Sequence, residues 1–110
     1  MGISTHILDT SRGRPAQGVA VTLELAAGAG WKELARGATD ADGRVKPLLA
    51  DIPQEGTFRI SFEVAPYFQK LGGEAFFPRV QIEFLVKSKG EHYHVPLLLN
   101  PFGYSTYRGS

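Results

Sequence analysis

The sequence predicts an all-β fold, a two-sheet β-sandwich of seven to eight short strands with one short helix. Three observations predict it. Apolar and polar residues alternate with a period of two in several segments, the signature of strands with one buried face. Clusters of Gly, Pro, Asp and Asn punctuate the chain between those segments. Only one stretch carries the start and stop signals of a helix.

The elements follow in chain order. In "STHILDT" Ile3, Thr5 and Ile7 share one face, and Ser4, His6 and Leu8 share the other. If the first set faces the core, His6 faces outward. "SRGRPAQG" then reads as a turn. In "VAVTLEL" Val19, Val21, Leu23 and Leu25 oppose Ala20, Thr22 and Glu24, and "DADG" marks a further turn at Asp40. After the "PQEG" turn, "FRISFEV" sets Phe58, Ile60, Phe62 and Val64 against Arg59, Ser61 and Glu63. "APYFQKLGG" has Pro66 at a first helical position and Gly72 as a stop, which gives about two turns of helix. "RVQIEFLVK" alternates again, with Val80, Ile82, Phe84 and Val86 inward. In "HYHVPLLLNPF" Tyr93, Val95, Leu97 and Leu99 form the core face, so His92, His94, Pro96 and Leu98 point out. "NPFG" turns the chain into a final short segment.

At 110 residues the chain is expected to form a single domain, residues 1–110, with one core. Its 12 basic and 11 acidic residues form no run of either sign, which speaks against nucleic acid or an anionic membrane surface as partners. It has no cysteine, so thiolate chemistry and a disulfide framework are excluded. "MGISTHILDT" has no basic region followed by a long apolar one, and no segment approaches the roughly 20 apolar residues of a membrane span. A soluble cytoplasmic protein is expected.

The candidates for chemistry are few. No phosphate cradle, nucleophile elbow or paired-carboxylate pattern is present. His92 and His94 alternate on one strand, a spacing that can bind a metal, with His6 as a third ligand. No Asp, Glu or Cys is placed by the sequence as a further ligand, and solvated surface histidines are the plainer reading. Arg44, next to the "DADG" turn, reads as a rim residue. The outward face also carries Leu8 and Leu98, and a second subunit is the simplest cover for such a face. The chain ends in "GYSTYRGS", an unusual density of polar and aromatic groups for a terminus.

Three separated motifs, "STHILDT", "DGR" and the terminal "YRGS", resemble the transthyretin-related family of 5-hydroxyisourate hydrolases, and the likeness runs along essentially the whole chain. The resemblance implies a transthyretin-like (prealbumin-like) sandwich assembled as a homotetramer, a dimer of dimers around a central channel. It implies hydrolysis of 5-hydroxyisourate to 2-oxo-4-hydroxy-4-carboxy-5-ureidoimidazoline in urate breakdown, with no metal or other cofactor. Carried over onto this chain, the catalytic residues are His6, Arg44 and His94. His6, Arg44 and Tyr107 contact substrate, and Arg108, Gly109 and Ser110 support the site. Which histidine is the general base is left open by the sequence, with His6 favoured and His94 as its partner. His92 lies outside the family's pattern and is expected to matter far less than His94. The hormone carrier transthyretin shares the fold but lacks the histidine pair, the arginine and the terminal motif, so the resemblance implies an enzyme. The alternatives are a carrier of a small aromatic ligand and a metal-dependent hydrolase built on the three histidines.

Overall fold

The computed structural model describes all 110 residues. In chain order the elements are β1 (Ile3–Asp9), β2 (Arg14–Pro15), β3 (Ala20–Ala27), β4 (Gly30–Ala38), β5 (Arg44–Leu49), β6 (Gly56–Glu63), α1 (Ala65–Lys70), β7 (Arg79–Val86), β8 (Tyr93–Asn100) and β9 (Gly103–Thr106). The strands form two sheets, and no helix is long and apolar enough to cross a membrane. The strand count is nine because β2, only two residues long, sits inside the segment that reads as a turn. The helix begins at Ala65, so Pro66 occupies its second residue, still within the first turn where a missing N–H costs no hydrogen bond.

The second sheet is antiparallel throughout, in the order β4-β3-β6-β7, with β3 and β6 joined through a crossover. The first sheet is built differently. β1 pairs in parallel with β8, from Ile3 opposite Tyr93 to Asp9 opposite Leu99. β9 folds back antiparallel on the far edge of β8. The other edge of β1 is shared: β5 pairs with its first half and β2 with its last two residues. The first and last long strands of the chain are thus neighbours.

The alternation read from the sequence places the core. Ile3 and Ile7 of β1, Val21 and Leu23 of β3, Phe58, Ile60 and Phe62 of β6, Val80 of β7 and Leu97 of β8 are all fully buried between the sheets. Burial of such side chains contributes roughly 1.5–3 kcal/mol each. The polar groups that enter this core are satisfied. Thr5 donates to the Val95 carbonyl at 2.7 Å, and Thr39 donates to the Ala16 carbonyl while accepting from the Val19 N–H.

Asp9, at the buried end of β1, ties the helix to the first sheet. Its carboxylate accepts from Tyr67 of α1 at 2.7 Å and from the Ser11 and Arg12 backbone N–H groups. Burial and the bond to Asp9 both hold the Tyr67 phenol above its ordinary pKa. With only six residues, α1 has little stability of its own, so this buried bond and the packing of Phe68 hold it in place. Tyr67→Phe should therefore lower unfolding stability by about 1–3 kcal/mol, the cost of stripping a partner from a buried carboxylate. Urea titration with and without the substitution checks this, and an unchanged midpoint would contradict the anchoring role.

Candidate active site

The site is assembled by strand register on the outward face of the first sheet. Period-two geometry puts Ser4 and His6 on that face of β1. The parallel partner β8 sets His94 beside Ser4 and Pro96 beside His6. On the other edge the antiparallel partner β5 sets Arg44 beside His6. One row across the sheet therefore reads Arg44, His6, Pro96. The next contains Ser4, His94 and Gly109, the last joined by an isolated antiparallel bridge to His94.

Arg44 is positioned by the turn that precedes it. The Asp40 carboxylate accepts from the N–H groups of Asp42 at 2.9 Å and Arg44 at 3.0 Å. These bonds, that of Arg44 first, hold the Asp40 carboxyl below its ordinary pKa. The Ile7 N–H donates to the Gly43 carbonyl at 2.8 Å, which fastens the turn to β1. Gly43 has φ +76°, and a methyl group there would overlap the Ile7 carbonyl oxygen, so only glycine closes this turn against the strand.

A polar cavity of about 220 Å³ opens on this face, lined by Ser4, Thr5, Arg44, Lys46, His92, His94 and Ser110. Its lining has two cationic side chains and no Asp or Glu side chain. Ser4 Oγ lies 2.8 Å from His94 Nδ1 and 2.9 Å from His92 Nε2, so one hydroxyl bridges both rings. Partial burial, followed by the charges of Arg44, His6 and His92, lowers the His94 pKa from its ordinary 6.5. These surroundings favour the neutral, basic form of the imidazole.

The terminal segment closes the rim. The Gly109 N–H donates to the His94 carbonyl at 2.8 Å, and Thr106 donates to the Pro96 carbonyl at 2.7 Å. A methyl group at Gly109 would come within 2.5 Å of His94 Cδ2, so the ring packs where a side chain would otherwise stand. Pro96, on the outward face, is buried by this tail, so the chain itself supplies part of the cover expected from a second subunit. Ser110 reaches the cavity.

Of the residues expected from the sequence, Arg44, His94 and Ser110 line the cavity, and Gly109 backs His94. His6 stands half-buried between Arg44 and Pro96, close enough for its charge to act on His94. Tyr107 and Arg108 are not brought into this cavity. They line a separate groove of about 300 Å³ with Thr106 and residues of β7 and β8. Arg108 stacks on Tyr93 and bonds Glu91 and the His92 carbonyl, bracing the strand that carries the histidines. The three histidines do not converge as metal ligands: His92 and His94 turn towards Ser4, and no three His, Asp or Glu side chains are grouped to share an ion. Sequence reasoning missed Ser4, Thr5 and Lys46 and left His92 without a role. For Ser4 the alternation with His6 was a signal, but its pairing with His94 was not visible.

The chain is similar to known proteins along nearly its whole length. Residues 3–109 match the HIUase/Transthyretin family. A 5-hydroxyisourate hydrolase of Salmonella dublin is 47% identical over 109 residues, covering 98% of this chain and 80% of the relative. The structure of Klebsiella pneumoniae 5-hydroxyisourate hydrolase superposes with a TM-score of 0.87 at 40% identity, covering 100% of both chains. Sea bream transthyretin in complex with thyroxine superposes with a TM-score of 0.92 at 32% identity, over 99% of this chain and 95% of that one. In matched length, identity and fold, the chain belongs to the HIUase/transthyretin family.

Proposed function

We propose that this chain is a 5-hydroxyisourate hydrolase, opening the six-membered ring of its substrate to give 2-oxo-4-hydroxy-4-carboxy-5-ureidoimidazoline in urate degradation. The observation that carries this is the meeting of His94, in surroundings that favour its neutral form, with Arg44 in one cavity that Ser110 also lines. Relatives named 5-hydroxyisourate hydrolase, 40–47% identical over nearly the whole chain, support it. A carrier of the same fold has no use for such a pair, and the likeness in backbone to a thyroxine-bound transthyretin speaks for the scaffold alone.

Ring opening by water needs three things: a base for the water, charge stabilisation at the attacked carbonyl, and a proton for the departing ring nitrogen. His94 supplies the first. It lines the cavity in surroundings that favour the neutral ring, which supports His94 over His6 in the role of base that the sequence left open. Arg44 offers a planar fork of donors to the substrate carbonyls and the developing oxyanion. His6, next to Arg44, is the second imidazole available to bind the heterocycle. Gly109 and Ser110 hold the rim, and Arg108 supports it from behind. Tyr107 points elsewhere in its own chain, so a contact with substrate would have to come from a neighbouring copy.

A homotetramer fits this reading. Leu8 and Leu98 remain half-buried on the face that holds the histidines, an apolar surface that a second pair of subunits would cover. Light scattering at assay concentration should give four chains, and a fully active monomer would refute it.

His6→Ala, Arg44→Ala and His94→Ala should each lower turnover of freshly generated 5-hydroxyisourate by roughly 10²-fold or more, with the fold retained because all three lie off the core. Ultraviolet absorbance, corrected for spontaneous decay, measures this. Wild-type turnover no faster than that decay would sink the proposal. Deleting Tyr107 to Ser110 should remove most turnover while circular dichroism melts change little, because the core is complete at Leu99 and these residues are largely exposed.

The lowered His94 pKa makes a pH prediction. Its imidazole should titrate below 6.5 by NMR, and Arg44→Gln, which removes one of the charges opposing protonation, should move the midpoint up. The unfolded chain binds a proton here more readily than the folded one, so this group's contribution to stability is present above pH 6.5 and is lost as pH falls below it. A midpoint at or above 6.5 in the intact protein would contradict the assignment.

A further inference from the structure

Two residues of the cavity, Ser4 and His92, have no part in the reaction as laid out above, and both are joined to His94. Ser4 Oγ is 2.8 Å from His94 Nδ1 and 2.9 Å from His92 Nε2. The sheet enforces this contact, because Ser4 opposes His94 across β1 and β8 and His92 is one alternation back on the same face. The inner end of the chain of bonds lies in a cavity that also holds Arg44 and Lys46, with His6 nearby, while His92 at the other end is exposed.

A hydroxyl has one proton, so Ser4 can donate to only one ring and must accept from the other. When it accepts from His94 Nδ1–H it donates to His92 Nε2, and His94 Nε2 is left bare. When it donates to His94 Nδ1 it accepts from His92 Nε2–H, and His94 Nε2 carries the proton. The first arrangement makes His94 a base and the second makes it an acid. One proton moved along each bond of the chain switches between them, as His94 Nε2 gains a proton and His92 Nδ1 gives one up.

We propose that Ser4 and His92 form a proton relay that lets His94 act first as base and then as acid, an inference that rests on the hydrolytic reading of the site. In the first half, His94 Nε2 takes a proton from water as the hydroxide oxygen bonds to the ring carbonyl carbon. The His94 Nδ1 proton passes to Ser4, and Ser4 passes its own to His92 Nε2. His92, in contact with solvent, then releases its Nδ1 proton. In the second half, the carbon–nitrogen bond breaks and the departing nitrogen takes the proton from His94 Nε2. Ser4 returns a proton to His94 Nδ1, His92 Nε2 returns one to Ser4, and His92 regains its Nδ1 proton from solvent. Every group ends as it began, with one water added across the bond. Ser4 and His92 act through His94, as positioning residues for its protons.

Ser4→Ala, Ser4→Thr, His92→Ala and the Ser4→Ala/His92→Ala double variant test this. Ser4→Ala should lower kcat on the order of 10-fold with KM changed by less than about twofold, because the relay serves the chemical steps and not binding. Ser4→Thr, which keeps a hydroxyl, should recover most of the loss. Added imidazole should raise kcat of Ser4→Ala but not of the intact protein, since a mobile base replaces the missing path. His92→Ala should lose less than His94→Ala, and the double variant should be no worse than the worse single one. In the absence of substrate, the ¹⁵N resonances of the His94 ring should shift in Ser4→Ala as the bond at Nδ1 is lost. Unchanged kcat in Ser4→Ala, failure of threonine to restore it, or multiplicative losses in the double variant would overturn the relay. An intact protein without turnover would instead sink the hydrolytic reading, and the ¹⁵N spectra would then decide the relay alone: unchanged His94 shifts refute it.

Discussion

The parallel pairing of β1 with β8 is the constraint on which the rest of this molecule depends. It joins residues about 90 positions apart, from Ile3 with Tyr93 to Asp9 with Leu99, and it fixes both faces of the first sheet at once. Inward, it aligns Ile3, Thr5 and Ile7 with Tyr93, Val95 and Leu97 in the core. Outward, it aligns Ser4 with His94 and His6 with Pro96. Because side chains alternate, a slip of one residue would exchange those faces. The buried set forbids the slip, so hydrophobic packing guarantees the register of the catalytic candidates without touching them.

The site lies on the outward face of this sheet, over its inner strands β1 and β8, where it is partly desolvated but still reached from solvent. That partial burial is the first cause of the His94 shift. Full burial would remove the path for water, and full exposure would leave its pKa unperturbed. The terminal segment contributes by geometry more than by energy. Gly109 makes one backbone bond to His94 and leaves room for its ring, while Tyr107, Arg108 and Ser110 stay exposed. The Asp40–Arg44 turn does the same at the other edge, where Gly43 lets the chain close tightly on Ile7.

The resemblance to both a hydrolase and a hormone-bound transthyretin shows how little of function resides in the backbone. The TM-score is 0.87 to the first and 0.92 to the second. A sandwich of this kind is stabilised by its inner faces, which are free of the chemistry on its outer ones. Outward side chains can therefore vary at small cost to the core.

Much of this was legible in the sequence. Alternation alone identified the inward set of β1, β3, β6, β7 and β8, because a half-buried strand must segregate its side chains with a period of two. It placed His6, His92 and His94 outward for the same reason, and the quoted motifs pointed to the family. The short β2 was hidden, since two residues carry no periodicity. What only the tertiary structure decided was which outward residues meet. Ser4 against His94, Arg44 beside His6, Lys46 on the cavity wall and Tyr107 in a different groove all follow from strand neighbours and register. A local pattern states which way a side chain points, but its neighbours across a sheet are set by the packing of distant segments, and that is a property of the whole fold.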